Sequence, residues 1–300
     1  MESKISMYPI SIYDKRKRPS DIILKVLMCL CAAISVSIFV GIVGYVFYRG
    51  LGQINFDFIT KARSALNGTE GIAGNIINTL YMVILTLLIV TPIGIGAAIY
   101  LNEYAKPGKF VRMIEFTTET LSGIPSIIFG LFGMVFFGVT LGLSYSLLTG
   151  ALTLSIMVLP LITRNTQEAL KTVPKSYRDG ALGIGATKWY MIRTILLPSA
   201  MPGIITGIIL SVGRIVGESA ALLFTAGSGY FLPRFGEYGE GLIEKIMESG
   251  GTLTIELYLS MSKAKYDVAF GIAVVLLLIV FAINIATKLL ARKFDVNRKK

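Results

Sequence analysis

Six stretches of the chain, at 26–47, 76–101, 118–139, 147–162, 200–225 and 268–290, are predominantly apolar over sixteen or more residues. A helix of about 20 such residues matches the roughly 30 Å hydrocarbon core of a bilayer, and no soluble domain hides six of them in sequence. Hydrophobic residues make up 54% of the chain and charged residues only 16%, too little polar surface to coat a globule. The pattern predicts an all-α polytopic membrane protein with six transmembrane helices. The first run exceeds the apolar core of a signal peptide and is expected to be an uncleaved span. Pro92 with Gly94 and Gly96 predicts a kink in the second run, and Pro125 in Gly123-Ile124-Pro125-Ser126 marks a helix start or a bend in the third. The short link at 141–146 makes the third and fourth spans a tight hairpin, while 49–73 and 227–265, the latter containing Pro233, are expected to be polar loops.

The formal charge is +11, and its distribution fixes an orientation. Twenty-one Lys and Arg residues lie in the N-terminal segment through Lys25, the 102–112 turn, the 164–198 loop and the tail from Lys288. The loops on the other side hold seven, namely Arg49, Lys61, Arg63, Arg234, Lys245, Lys263 and Lys265. Basic residues are retained on the cytoplasmic side, so both termini and the 164–198 loop are placed there, in a multi-pass protein of the cell membrane. The expected division is a cytoplasmic basic segment at 1–20, a six-helix domain at 21–291 and a cytoplasmic basic tail at 292–300. Basic clusters beside apolar runs, rather than along one polar face, argue for contact with membrane lipid and against nucleic acid.

Several classes of chemistry drop out. The chain has no histidine, which removes the commonest general base and metal ligand, and no catalytic, metal or cofactor site is expected. Cys29 and Cys31, two apart in an apolar run, point to different helix faces and suit neither a disulfide nor a metal. The sequence lacks G-x-x-x-x-G-K-[ST], so it cannot cradle ATP phosphates by that loop. Gly94-Ile95-Gly96 and Gly183-Ile184-Gly185 are too incomplete to be dinucleotide fingerprints.

The long interior segment 179–198, DGALGIGATKWYMIRTILLP, is too polar for the membrane. Pro174 suits a first helical turn, and 175–184 is amphipathic, with Tyr177, Ala181 and Ile184 on one face and Lys175, Arg178 and Asp179 on another. Gly183 and Gly185 end this helix, and Thr187 is placed to cap a second one running toward Leu197, with Pro198 at its exit. An amphipathic helix lying on lipid headgroups would need neither the second helix nor the glycine spacing.

The spacing Asp179-Gly180-Ala181, three residues, Gly185, nine residues, Ile195, one residue, Leu197-Pro198 resembles the EAA loop of ABC importer permeases. Five of seven defined positions agree; Asp179 stands for Glu and Gly180 for Ala. The resemblance implies a type I ABC importer permease fold (MetI-like), with this loop as a coupling helix docked on a separate ATPase.

The fifth run carries Gly213-Arg214-Ile215-Val216-Gly217-Glu218-Ser219. An ionised side chain inside a span costs on the order of 3 kcal/mol, so it normally faces protein or a wet cavity. Arg214 and Glu218 are four apart, so they share a helix face and can pair. Either the pair is structural, or Arg214 offers its fork of donors to an anion in the pathway and Glu218 balances the charge. Arg164, at the end of the fourth run, is a second pathway candidate or a simple cytoplasmic anchor.

Asn102-Glu103-Tyr104-Ala105, the run 122–131 (SGIPSIIFGL), Gly185-Ala186-Thr187-Lys188-Trp189 and the run 213–225 (GRIVGESAALLFT) together resemble the PstA-type permease subunit of phosphate-specific importers. That resemblance covers about 75–227. It implies a PstC-type partner permease, an ATP-binding cassette ATPase dimer, an extracytoplasmic phosphate-binding protein and inorganic phosphate as cargo. One arginine does not distinguish tetrahedral anions, so molybdate or sulfate import is the alternative. A membrane enzyme or scaffold is a further one, opposed by the missing histidine and by the charged residues within a span.

Overall fold

The computed structural model describes residues 19–63, 70–106, 108–230, 232, 241 and 244–294. The basic segment 1–18, Pro233 and the tail 295–300 lie outside the described residues. The chain divides at Tyr48 into two units. The first is most of α1, Pro19–Gly50, whose length and composition suit one crossing.

The second unit is built around α6, Leu147–Lys171, two thirds of whose apolar window is buried. Ser146 starts it, its hydroxyl accepting the Thr149 N–H at 3.1 Å, and Pro160 is tolerated inside it. On α6 pack α3, Ala73–Ile99, and α9, Leu197–Gly217, with α12, Tyr266–Phe294, against α9. Met82 and Val90 of α3, Leu154, Met157 and Ile162 of α6, and Val212 and Ile215 of α9 form the main core. Between membrane helices, where lipid is as apolar as leucine, close van der Waals approach does the holding. Gly203 and Gly207 of α9 provide it, because a Cβ would lie 2.6 Å from Ala169 Cβ at the first and 2.7 Å from Asn165 Cβ at the second.

Five described helices are long and apolar enough to cross a membrane, and a bent pair makes a sixth crossing if counted as one span. That pair corrects the expected third span at 118–139. Residues Lys109–Ser122 form α4, and Ser126–Gly133 form α5, which continues as a π-helical stretch Met134–Thr140; the two parts meet at 100°. Pro125 has no N–H to donate and forces Ile124 out of the helical region, so the chain turns there. α4 is amphipathic, with Phe110, Met113 and Phe116 exposed and Glu115 and Glu119 turned toward α6. The hairpin after Thr140 is as tight as expected, with Gly142 and Ser144 at positive φ.

The fifth span differs at both ends from the expected 200–225. It begins early: α8, Lys188–Met191, runs through a π turn, Ile192–Leu196, into α9 without a break, so Pro198 lies inside a continuous helix Lys188–Gly217 rather than at an exit. A widened turn is one of the places where a helix carries a proline, since it relieves the clash with the preceding turn. It also ends early, at Gly217, because Glu218 is extended (φ −79°, ψ 126°). Its carboxylate accepts the Ala221 N–H at 3.1 Å and starts a separate helix α10, Ala220–Thr225.

The described part of the 227–265 segment holds a helix where a polar loop was expected. Leu253–Ser262 form α11, with Thr254, Glu256 and Ser260 buried. Each polar group is partnered: Glu256 takes Arg63, Thr254 Oγ1 donates to the Glu218 carbonyl at 2.9 Å, and Leu253 N–H donates to Thr79 Oγ1 at 2.9 Å. Asn75 and Asn78 of α3 donate to the Gly251 carbonyl at 3.0 and 3.2 Å.

Candidate functional site

The segment 171–198 forms the two-helix unit its glycines and caps predict. α7 covers Lys175–Gly183 after Pro174. It ends in two bonds, Ala186 N–H to the Ala181 carbonyl and Gly185 N–H to the Leu182 carbonyl, both 3.0 Å, with Gly185 at φ +82°. That is a Schellman cap, and the residue at its left-handed position is the glycine of the EAA spacing. Thr187 then caps α8, accepting the Tyr190 N–H at 3.3 Å.

Only Ala181 of the expected apolar face is buried; it packs in a second core with Leu170, Val173, Met191, Ile192 and Leu196. Tyr177 and Ile184 are exposed, as are Leu182, Trp189 and Tyr190, and Ile184 retains 87% of its surface. Asp179, Gly180 and Gly185 lie on the same exposed unit, while Ile195, Leu197 and Pro198 are half-buried where it enters α9. Five large apolar side chains are thus left uncovered on this unit.

Sequence spacing alone did not connect this unit to α3. The helix α3 ends in a π turn, Tyr100–Tyr104, and Glu103 there is 6% exposed. Arg178 of α7 donates to Glu103 Oε1 from Nη2 at 2.9 Å and from Nε at 3.3 Å. Asn102 Nδ2 donates to the same oxygen at 2.7 Å, and Lys188 Nζ sits 4.9 Å from the centre of the Tyr104 ring. Asn102-Glu103-Tyr104 was visible as a motif and Arg178 as a polar-face residue, but nothing local joins positions 75 apart.

At the far end of α9 the expected Arg214–Glu218 pair does not form. The helix stops at Gly217, so Glu218 leaves the face that Arg214 occupies and its carboxylate serves α10 instead. Arg214 is exposed and makes no ion pair among the described residues. It borders a stripe of α9 left uncovered by the rest of the chain, Pro202, Thr206, Leu210, Gly213 and Gly217, and nothing lies within 4 Å of where a Cβ would project at either glycine. Its place in the last turn suits the negative end of the helix dipole.

Arg164 is not at a helix end but inside α6, where its Nη1 donates to Glu119 Oε1 of α4 at 3.0 Å. The two line a cleft of about 240 Å³ with Glu115, Gln167, Glu168 and Lys171.

The helical membrane architecture agrees with comparison to known proteins. Residues 90–298 match the family of binding-protein-dependent transport system inner membrane components. The chain belongs to that family. This permease is therefore an integral, multi-pass membrane protein. It is 42% identical over 198 residues to the probable ABC transporter permease protein YqgI of Bacillus subtilis (strain 168), covering 66% of this chain and 67% of that one. It is 38% identical over 178 residues to the phosphate transport system permease protein PstA of Xylella fastidiosa (strain Temecula1), covering 59% and 62%. It is 34% identical over 226 residues to PstA 2 of Mycobacterium tuberculosis (strain CDC 1551 / Oshkosh), covering 75% and 74%. The permease thus aligns over about two thirds of the length of these relatives. Among solved structures, a bacterial alginate ABC transporter bound to its periplasmic protein matches with TM-score 0.65 at 17% identity, over 93% of this chain and 99% of that one. The inward-facing MetNI methionine transporter matches with TM-score 0.54 at 20% identity, over 75% and 94%. At such identities the likeness is one of fold, the type I importer permease architecture.

Proposed function

We propose that the permease forms, with a PstC-type partner permease, the membrane pathway for inorganic phosphate. A separate ATPase dimer docks on α7 and α8, and an extracytoplasmic phosphate-binding protein delivers the anion. The names of the PstA relatives support phosphate over other oxyanions. The observation that carries the reading is Arg214, an exposed guanidinium with no ion-pair partner among the described residues, on an uncovered face of a membrane helix. Hydrocarbon does not tolerate such a group, so that face must meet protein or water, and a guanidinium in a wet path binds phosphate oxygens bidentately. Glu218, expected to balance that charge, lies off the Arg214 face with its carboxylate on the Ala221 N–H, so Arg214 meets the anion without it. The continuous helix Lys188–Gly217 makes one rigid piece of the docking surface and the Arg214 face. Arg164, paired across the cleft with Glu119, lies on the inner side of the same pathway.

The test is uptake of labelled phosphate by the reconstituted complex, with sulfate and molybdate as competitors. Arg214→Ala is expected to assemble normally and to lose uptake, with Arg214→Lys intermediate because it keeps charge without the fork. Wild-type uptake in Arg214→Ala sinks the role of Arg214, and competition by sulfate or molybdate as effective as by phosphate reassigns the cargo.

A further inference from the structure

The chain joins the coupling unit to the membrane helices at both its ends, α6 into α7 and α8 into α9. A largely buried ion pair adds a tie to α3 through Arg178, whose guanidinium also reaches the end of α6. Besides Glu103 of α3, it donates from Nη2 to the Leu170 carbonyl in the last turn of α6 and from Nη1 to the Val173 carbonyl just past it, both at 2.9 Å. The side chains of Arg178 and Glu103 are 19% and 6% exposed. A buried pair of this kind contributes little to net stability, because desolvation offsets attraction, but removing one partner strands the other. Such a contact fixes geometry more than it stabilises the fold.

The geometry it fixes is that of α3. From its π turn this helix runs the length of the unit to Ala73, where Asn75, Asn78 and Thr79 hold the outer segment around Gly251 and Leu253. At 1.5 Å per residue, the 32 residues Ala73–Tyr104 span about 48 Å. A force on α7 therefore has a rigid path to the outer side that does not pass through α9. The turn receiving it is widened, its closing bond running from Ala105 N–H to the Tyr100 carbonyl at 2.8 Å. Such π turns recur at functional sites. Lys188 over Tyr104 adds a second contact from α8 to the same turn.

Given the coupling role proposed above, we infer that Glu103 and Arg178 are a positioning pair that makes α3 follow the docked helix, so that the ATPase stroke moves α3 and α9 together. Glu103 touches neither ATP nor cargo and faces away from the docking surface, so its loss separates hydrolysis from transport without undoing the dock.

The experiment uses the full complex of both permeases, ATPase and binding protein in liposomes. It compares wild type with Glu103→Ala, Glu103→Gln, Arg178→Ala and the Glu103→Ala/Arg178→Ala double variant. ATPase retention, ATP hydrolysed and labelled phosphate moved are measured together. The ATPase is expected to stay bound in Glu103→Ala while phosphate moved per ATP falls at least tenfold. Glu103→Gln, which keeps the shape and one acceptor, is expected to fall about threefold, and the double variant to be no worse than Arg178→Ala within a factor of two. An unchanged ratio in Glu103→Ala, or in Glu103→Gln should the alanine variant not assemble, overturns the inference. So do additive losses, or release of the ATPase by Glu103→Gln, which would make the pair part of the dock. If the wild-type chain retains no ATPase, the coupling role itself falls, and a failure of that kind is distinct from all of these.

Discussion

Gly185 and Gly183 offer a matched pair of substitutions that isolates the cap of α7. Neither has any atom within 4 Å of where a Cβ would project, so alanine meets no clash at either position. They differ in backbone only: Gly185 sits at φ +82°, and Gly183 lies inside α7. A Cβ in the left-handed region costs about 1–2 kcal/mol, whereas alanine for glycine within a helix is favourable by about 0.5–1 kcal/mol. The two chemically identical changes should thus be separated by about 2 kcal/mol, a factor of up to roughly thirty in the population of the capped form. The bonds at stake are Ala186 N–H to Ala181 and Gly185 N–H to Leu182, so amide hydrogen exchange at 185 and 186 reads the effect directly. Gly185→Ala should exchange there ten- to thirtyfold faster and retain less ATPase. Gly183→Ala should exchange no faster than wild type, and Gly185→Asn should fall between, since Asn tolerates the left-handed region. Gly185→Pro, which also deletes a donor, should be the most severe. Equal behaviour of the two alanine variants would refute the reasoning that the glycine is required for its conformation.

Trp189→Ala should weaken ATPase retention by about 2 kcal/mol or more, as exposed aromatics that anchor interfaces do, without lowering the melting temperature of the isolated permease. Binding of the ATPase to the solubilised chain measures the first quantity and a thermal melt the second. Gly207→Leu should destabilise the isolated chain by about 1–3 kcal/mol through overpacking against Asn165, read as a lower melting temperature, whereas Gly213→Ala, facing open space, should leave the isolated chain unchanged.

The comparison between sequence and structure divides by range of interaction. The coupling unit was legible because its determinants are local: Pro174, the glycine at the Schellman position and the Thr187 cap each act within one turn. α11 was not, since Thr254 and Glu256 look like loop residues until Glu218 and Arg63 are brought to them from 36 and 193 positions away. The bend between α4 and α5 was half legible. Pro125 marked where the helix must start, but an apolar window ignores direction and joined residues that turn through 100°.

By itself, then, the sequence determined that the chain is membrane-bound, roughly where its spans fall and where the capped two-helix unit between them lies, because hydropathy and capping are properties of neighbours along the chain. The tertiary structure alone decided which charges are partnered. Arg178 is half-buried against Glu103, Arg164 reaches Glu119, and Arg214 is left exposed although a glutamate stands four residues away. The i, i+4 rule holds only while a helix continues, and this one ends at Gly217, one residue before the partner.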